Sequence, residues 1–146
     1  MLKTNRGLLM YILLTSVTCG IYSFFWIHGI AKDLNVACQG DGKHTRGLLG
    51  YILLTTITCG IYALVWQYGV CERIAQNCYR RNIAAPVDGG KYLLWSLVGS
   101  MLCGIGPFVA LHKLCVGMNT VCAAYNTGAG TGAAGQTPVV NVVINK

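Results

Sequence analysis

Eight cysteines are the residues of this chain that most invite chemistry: Cys19, Cys38, Cys59, Cys71, Cys78, Cys103, Cys115 and Cys122. Thiolates can ligate metals or act as nucleophiles, so their spacing decides what they could do. No Cys-x-x-Cys pair occurs. The tightest spacings, Cys71 to Cys78 and Cys115 to Cys122, are seven residues each. On a helix such a pair shares one face with its sulfurs about 10 Å apart, too far for one tetrahedral ion without a second helix. Packing between helices by a small, easily buried side chain is the simpler expectation. Many free thiols also fit a reducing compartment. No metal and no cofactor is expected.

The acids offer little more. Asp33, Asp41, Glu72 and Asp88 are the whole set, and none pairs with another at catalytic spacing. No Ser-His-Asp order, phosphate loop or zinc-protease motif appears, so no enzyme is expected. The net charge of +7 is scattered in ones and twos. Nucleic-acid binding would call for clustered Lys and Arg. Basic residues flanking apolar segments, Arg46, Arg80 and Arg81 among them, instead suit the anionic headgroups of a cytoplasmic membrane face.

Only 10% of the 146 residues are charged while 54% are hydrophobic, against about 25% charged in an ordinary soluble domain. Three stretches, 7–31, 47–71 and 92–112, contain no Asp, Glu, Lys or Arg. Each is long enough to meet the requirement of about 20 residues for crossing a bilayer. A cleavable leader does not explain the first, because a near copy of it recurs inside the chain.

That copy defines the architecture. RGLLMYILLTSVTCGIYSFFW at 6–26 matches RGLLGYILLTTITCGIYALVW at 46–66 at fifteen of twenty-one positions. A weaker third copy, KYLLWSLVGSMLCGIGPF, begins at Lys91 and lacks one residue before its cysteine. The cysteines follow this register: Cys19, Cys59 and Cys103 are equivalent, and so are Cys38, Cys78 and Cys122. Both sets are expected to serve packing between repeats. His28, Tyr68 and His112 share another repeat position near the end of the second half, where ordinary interfacial residues belong. Self-similarity at a fixed period points to stacked supersecondary units, here 6–38, 46–78 and 91–122.

The fold class expected is an all-α membrane protein of three glycine-broken apolar helices (helix, break, helix). Gly20, Gly60 and Gly104, with Pro107 beside the last, mark the breaks and permit close backbone approach. After each break the pattern turns amphipathic: Leu64, Tyr68, Cys71, Ala75 and Cys78 share a face, while Gln67, Arg73 and Asn77 point elsewhere. Trp26, Trp66 and Trp95 are expected as membrane-interface anchors or packing aromatics. Each unit is either one kinked span or a hairpin that enters and leaves by one face. Kinked spans would split the basic residues almost evenly between the two sides, against the positive-inside rule. Hairpins would put every charge on the cytoplasmic side, and are preferred.

The membrane domain is assigned to 1–126. Residues 127–146 read as a Gly/Ala-rich linker and a Val-rich, β-prone tail, with 138–145 able to pair with a partner strand.

Ile12–Trp26 and Ile52–Trp66, with Lys32-Asp33-Leu34-Asn35 and Gly40-Asp41-Gly42-Lys43, resemble a bacterial membrane family catalogued as domain of unknown function four-two-three-four. The resemblance covers roughly 5–126. It implies a multipass domain in a bacterial cell membrane and no established activity. Members often carry an N-terminal zinc ribbon, whereas this sequence begins at the first apolar unit. The function expected is structural: a self-associating protein that shapes the membrane or scaffolds an assembly, with lipids and further copies of itself as partners. A small channel or carrier is the alternative, built as repeat transporters are.

Overall fold

The computed structural model describes residues 2–127, so the expected linker beyond Thr127 and the strand-forming tail lie outside the described residues. The described residues are helical, with no strand among them. The order is α1 (Leu8–Val17), α2 (Ile21–Ala37), α3 (Leu48–Ile57), α4 (Ile61–Arg80), α5 (Gly89–Leu93), a π-helical turn (Leu94–Val98), α6 (Gly99–Met101) and α7 (Gly106–Asn126).

The chain reverses at each break. Were α1 and α2 one continuous rod, Tyr11 and Trp26 would stand about 22 Å apart at 1.5 Å per residue. Instead their rings lie 4.7 Å apart, and Tyr51 and Trp66 repeat the contact at 5.2 Å. The Tyr11 hydroxyl also meets Ser23 Oγ at 3.1 Å. These are hairpins rather than kinked spans.

The repeated Thr-Cys-Gly-Ile-Tyr builds the reversal. Cys19 and Gly20 adopt left-handed φ values of 52° and 92°, and Cys59 and Gly60 take 51° and 94°. Gly20 N–H bonds the Thr15 carbonyl at 2.8 Å and Cys19 N–H the Ser16 carbonyl at 3.4 Å, the paired pattern that closes a helix C-terminus. Thr18 then serves both helices: its hydroxyl donates to the Leu14 carbonyl and accepts from Tyr22 N–H at 3.0 Å. All six backbone N–H groups from 18 to 23 are thereby bonded, and 58 to 63 repeat the set. In the third turn Leu102 replaces the threonine, while Cys103 and Gly104 keep positive φ at 63° and 71°.

Gly20, Gly60 and Gly104 do not mediate close approach, since a Cβ at any of them would meet nothing within 4 Å. Their role is the backbone angle. Close approach belongs to Gly99 and Gly106, which abut so tightly that a Cβ on Gly106 would lie 2.1 Å from the Trp95 carbonyl oxygen. Pro107 occupies the first turn of α7, where its missing N–H costs nothing, and so starts that helix rather than kinking it.

The core lies in α2 and α4 beyond their first turn and along the whole of α7, with Ile83, Val87 and Tyr92 added from the segment between α4 and the third turn. Burial begins at Trp26, Trp66 and Gly106, whereas no residue of α1 or α3 is buried. The three long helices run parallel, because Arg81 at the end of α4 donates both to the Ala37 carbonyl ending α2 and to the Val121 carbonyl late in α7. Each long helix also packs against the short helix opening the next unit, α2 on α3 and α4 on α5, and α7 closes the ring on α1. Asparagines fasten two of these joints, and Gln67 and Glu72 the third, by accepting from Tyr92 Oη and Gly89 N–H. Asn35 grips the backbone of Thr45 through both its N–H and its carbonyl, and Asn119 and Asn126 grip Arg6 and Leu2 in the same way.

Candidate functional site: paired basic and aromatic clefts

Below the hairpins the connector 38–45 wraps around one arginine. Arg73 is 4% exposed, and all five of its N–H donors are engaged: two on Asp41, the others on Asn35 Oδ1, Thr45 Oγ1 and the Lys43 carbonyl. Asn77, also buried, adds a bond to Asp41 at 3.2 Å. Burial alone would raise the Asp41 carboxyl. The bonds from Arg73, the Lys43 backbone and Asn77 outweigh it and hold the group at about 2. Arg73 and Asn77 thus turn inward, contrary to the outward placement that the helical pattern suggests, because Asp41 comes to meet them. Tyr68, assigned to the inner face, is 39% exposed.

Two clefts open where the charged base meets the apolar hairpins. The first, about 520 Å³, is lined by Lys3, Arg6, Met10, Tyr22, Phe25, Trp26, Gly29 and Asp33 among others. The second, about 310 Å³, is lined by Lys43, His44, Arg46, Tyr62, Val65, Trp66, Gly69, Glu72 and Arg73 among others. An offset of 40 maps Lys3, Arg6, Tyr22, Trp26 and Gly29 onto Lys43, Arg46, Tyr62, Trp66 and Gly69. Their electrostatics differ. In the first cleft Arg6 is committed to Asp33 and to the Lys3 carbonyl. In the second the residue equivalent to Asp33 is Arg73, itself saturated, and the exposed Arg46 guanidinium has no acceptor among the described residues. Each cleft offers cations at its mouth and aromatic or aliphatic walls within.

The residues singled out by sequence divide as follows. Cys38, Cys78 and Cys122 are buried, as are Cys71 and Cys115, and burial pushes the Cys38 thiol up to about 12 despite the lowering pull of Arg73 and Arg81. Cys19, Cys59 and Cys103 do not pack between repeats. They are exposed at the hairpin turns, because the left-handed backbone there projects them outward. Trp26 and Trp66 are not surface anchors but fill the crotch of their hairpins, with Trp66 Nε1 donating to the Arg46 carbonyl at 3.1 Å. Trp95 is 42% exposed. Arg46 and Arg80 are exposed, whereas Arg81 is spent on helix ends. His28 and His112 are exposed. No group of three His, Cys, Asp or Glu side chains converges as a metal set among the described residues. The asparagine grips and the Arg73 hub were missed, although Asn35 and Asn119 share a repeat position.

The fold is an all-helical stack of hairpins on a parallel helical core. The family described as Domain of unknown function (DUF4234) matches at residues 6–76 and again at 46–120, together more than half the chain, and the protein belongs to that family. No curated protein and no solved structure matches. One helix among those described, Gly106–Asn126, is long and apolar enough to cross a membrane.

Proposed function

We propose that this chain is a membrane protein whose three hairpins dip into lipid from one face, and that its role is structural, shaping the bilayer or scaffolding an assembly of its own copies. The observation that carries this is the division of its surface. Leu9, Val17, Leu49 and Met101 are 77%, 80%, 85% and 88% exposed. They belong to a continuous set of outward Leu, Ile, Val, Phe and Met side chains on the hairpin arms, far more apolar surface than a soluble monomer usually presents. Among the described residues the charged side chains lie toward the other end, in the N-terminal segment, the connectors, the start of α5 and the later parts of the long helices.

The first two turns favour the same reading. Hydrocarbon leaves no water to satisfy backbone groups, and the Thr-Cys-Gly-Ile-Tyr reversal bonds its N–H groups internally. Arms of ten residues reach about 15 Å, half of a hydrocarbon core about 30 Å thick. Wedges that enter one leaflet and stop expand that leaflet and bend the bilayer toward it. The family resemblance suggests a bacterial cell membrane as the setting, with connectors in the cytoplasm.

Purified protein added to vesicles should float with them through high salt and alkaline carbonate, and should draw spheres into tubules at high loading. Recovery of the protein in the aqueous fraction would refute the membrane reading; firm binding with unchanged spherical vesicles would refute the shaping role.

A further inference from the structure

The clefts at the foot of the hairpins allow a sharper statement that rests on the membrane reading. We propose that the second cleft seats the headgroup of an anionic phospholipid, its phosphate between Lys43 and Arg46 and its upper acyl chain against Tyr62, Val65 and Trp66. The position is apt: charged base and apolar arm meet there, as phosphate and hydrocarbon meet in a lipid. The cations are available. Among the described residues the exposed Arg46 has no acceptor and Lys43 Nζ donates only to the neutral Gln76. One of the two nearby acids is neutralised, since Asp41 is consumed by Arg73. Glu72, on the cleft wall, has only neutral donors, Gln76 at 3.2 Å and Gly89 N–H at 3.3 Å, and no cation partner among the described residues.

The floor is a glycine in mid-helix. Gly69 costs α4 about 1 kcal/mol relative to alanine, yet a Cβ there would meet nothing within 4 Å. Neither backbone angle nor helix packing requires it. What the missing side chain preserves is open space, and Gly29 does the same in the first cleft. There, however, Arg6 is neutralised by Asp33. The two clefts carry the same balance of charge, and the second is the one whose arginine guanidinium is left open to a phosphate.

Trp66 lines this cleft and reports on it. The full chain carrying Trp26→Phe and Trp95→Phe would be reconstituted into phosphatidylcholine vesicles containing brominated phosphatidylglycerol or, separately, brominated phosphatidylcholine. Trp66 fluorescence should be quenched at lower mole fraction by the anionic lipid, by about fivefold for each cation engaged. Arg46→Gln and Lys43→Gln alter exposed side chains and should erase that preference, while their helical circular dichroism stays that of the parent. Gly69→Leu leaves the charges intact but fills the cleft, and should reduce quenching by both lipids. Millimolar inorganic phosphate should not relieve the quenching, since the acyl chain contributes to the seat; full relief would mean a site for free phosphate and overturn the lipid assignment. Equal quenching by the two lipids, or a preference that survives Arg46→Gln, would also overturn it while leaving membrane insertion intact. Failure to associate with vesicles at all would instead refute the membrane reading on which this site rests.

Discussion

At the scale of single residues, the same amino acid does opposite jobs at different points of the repeat. Cys38, Cys78 and Cys122 are sealed in the core, whereas Cys19, Cys59 and Cys103 sit exposed with left-handed backbones. Spacing groups each set but cannot distinguish them, because burial depends on which way the chain turns after the glycine. A non-glycine residue pays roughly 1 kcal/mol for left-handed φ. Cys59→Gly should therefore hold or raise the thermal midpoint in detergent, and Gly60→Ala, which introduces a Cβ at φ 94°, should lower it. The buried pair makes a second prediction. The folded Asp41 carboxyl is held at about 2, below its ordinary 3.8. Its contribution is complete above pH 4 and is lost as pH falls through 2, because the unfolded chain takes up the proton first. Asp41→Asn should flatten the acid limb of a stability profile between those values. Arg73→Ala, which strands a buried carboxylate, should cost about 3 kcal/mol or more at neutral pH. Apolar periodicity could not reveal this hub, since the partner of Arg73 arrives from a connector 32 positions earlier.

At the scale of elements, the breaks were legible, and their direction only leaned toward reversal, on the distribution of basic residues rather than on the breaks themselves. A glycine between two apolar runs is compatible with a kink or a reversal. The decision falls to tertiary contact, in which Tyr11 packs tilted against Trp26 and Tyr51 packs edge-on against Trp66. The pairing of these aromatics across the turn was a usable signal, because a hairpin centred on residues 18–20 brings positions 11 and 26 to nearly the same height. The third hairpin reaches the same shape differently, with a π-helical turn and two abutting glycines in place of the aromatic pair. Gly106→Ala should therefore disrupt that hairpin, since its Cβ would collide with the Trp95 carbonyl and the Gly99 backbone, at a cost of about 1–3 kcal/mol. Gly29→Ala, with open space around the new methyl, should be neutral or stabilise α2 by up to about 1 kcal/mol. Chemical denaturation of the two variants in the same detergent separates packing glycines from cleft glycines.

At the scale of the whole molecule, the repeats close on themselves: each long helix supports the short helix of the next unit, and the last supports the first. The parallel core follows from that closure and brings the ends of α2, α4 and α7 together at Arg81. Among the described residues the charge gathers toward this base, and the three turns point away from it. The hairpin architecture in lipid requires that these turns stop within the membrane. Its most direct test is labelling, with a membrane-impermeant maleimide, of cysteine-free chains carrying a single cysteine, in sealed vesicles of known orientation. Cysteine at Lys43, Arg80 or Lys91 should react from one and the same side, while cysteine at Thr18 or Thr58 should react from neither until detergent is added. Reaction of Thr18→Cys or Thr58→Cys from the side opposite the base would mean that the units span the bilayer, and would contradict the account.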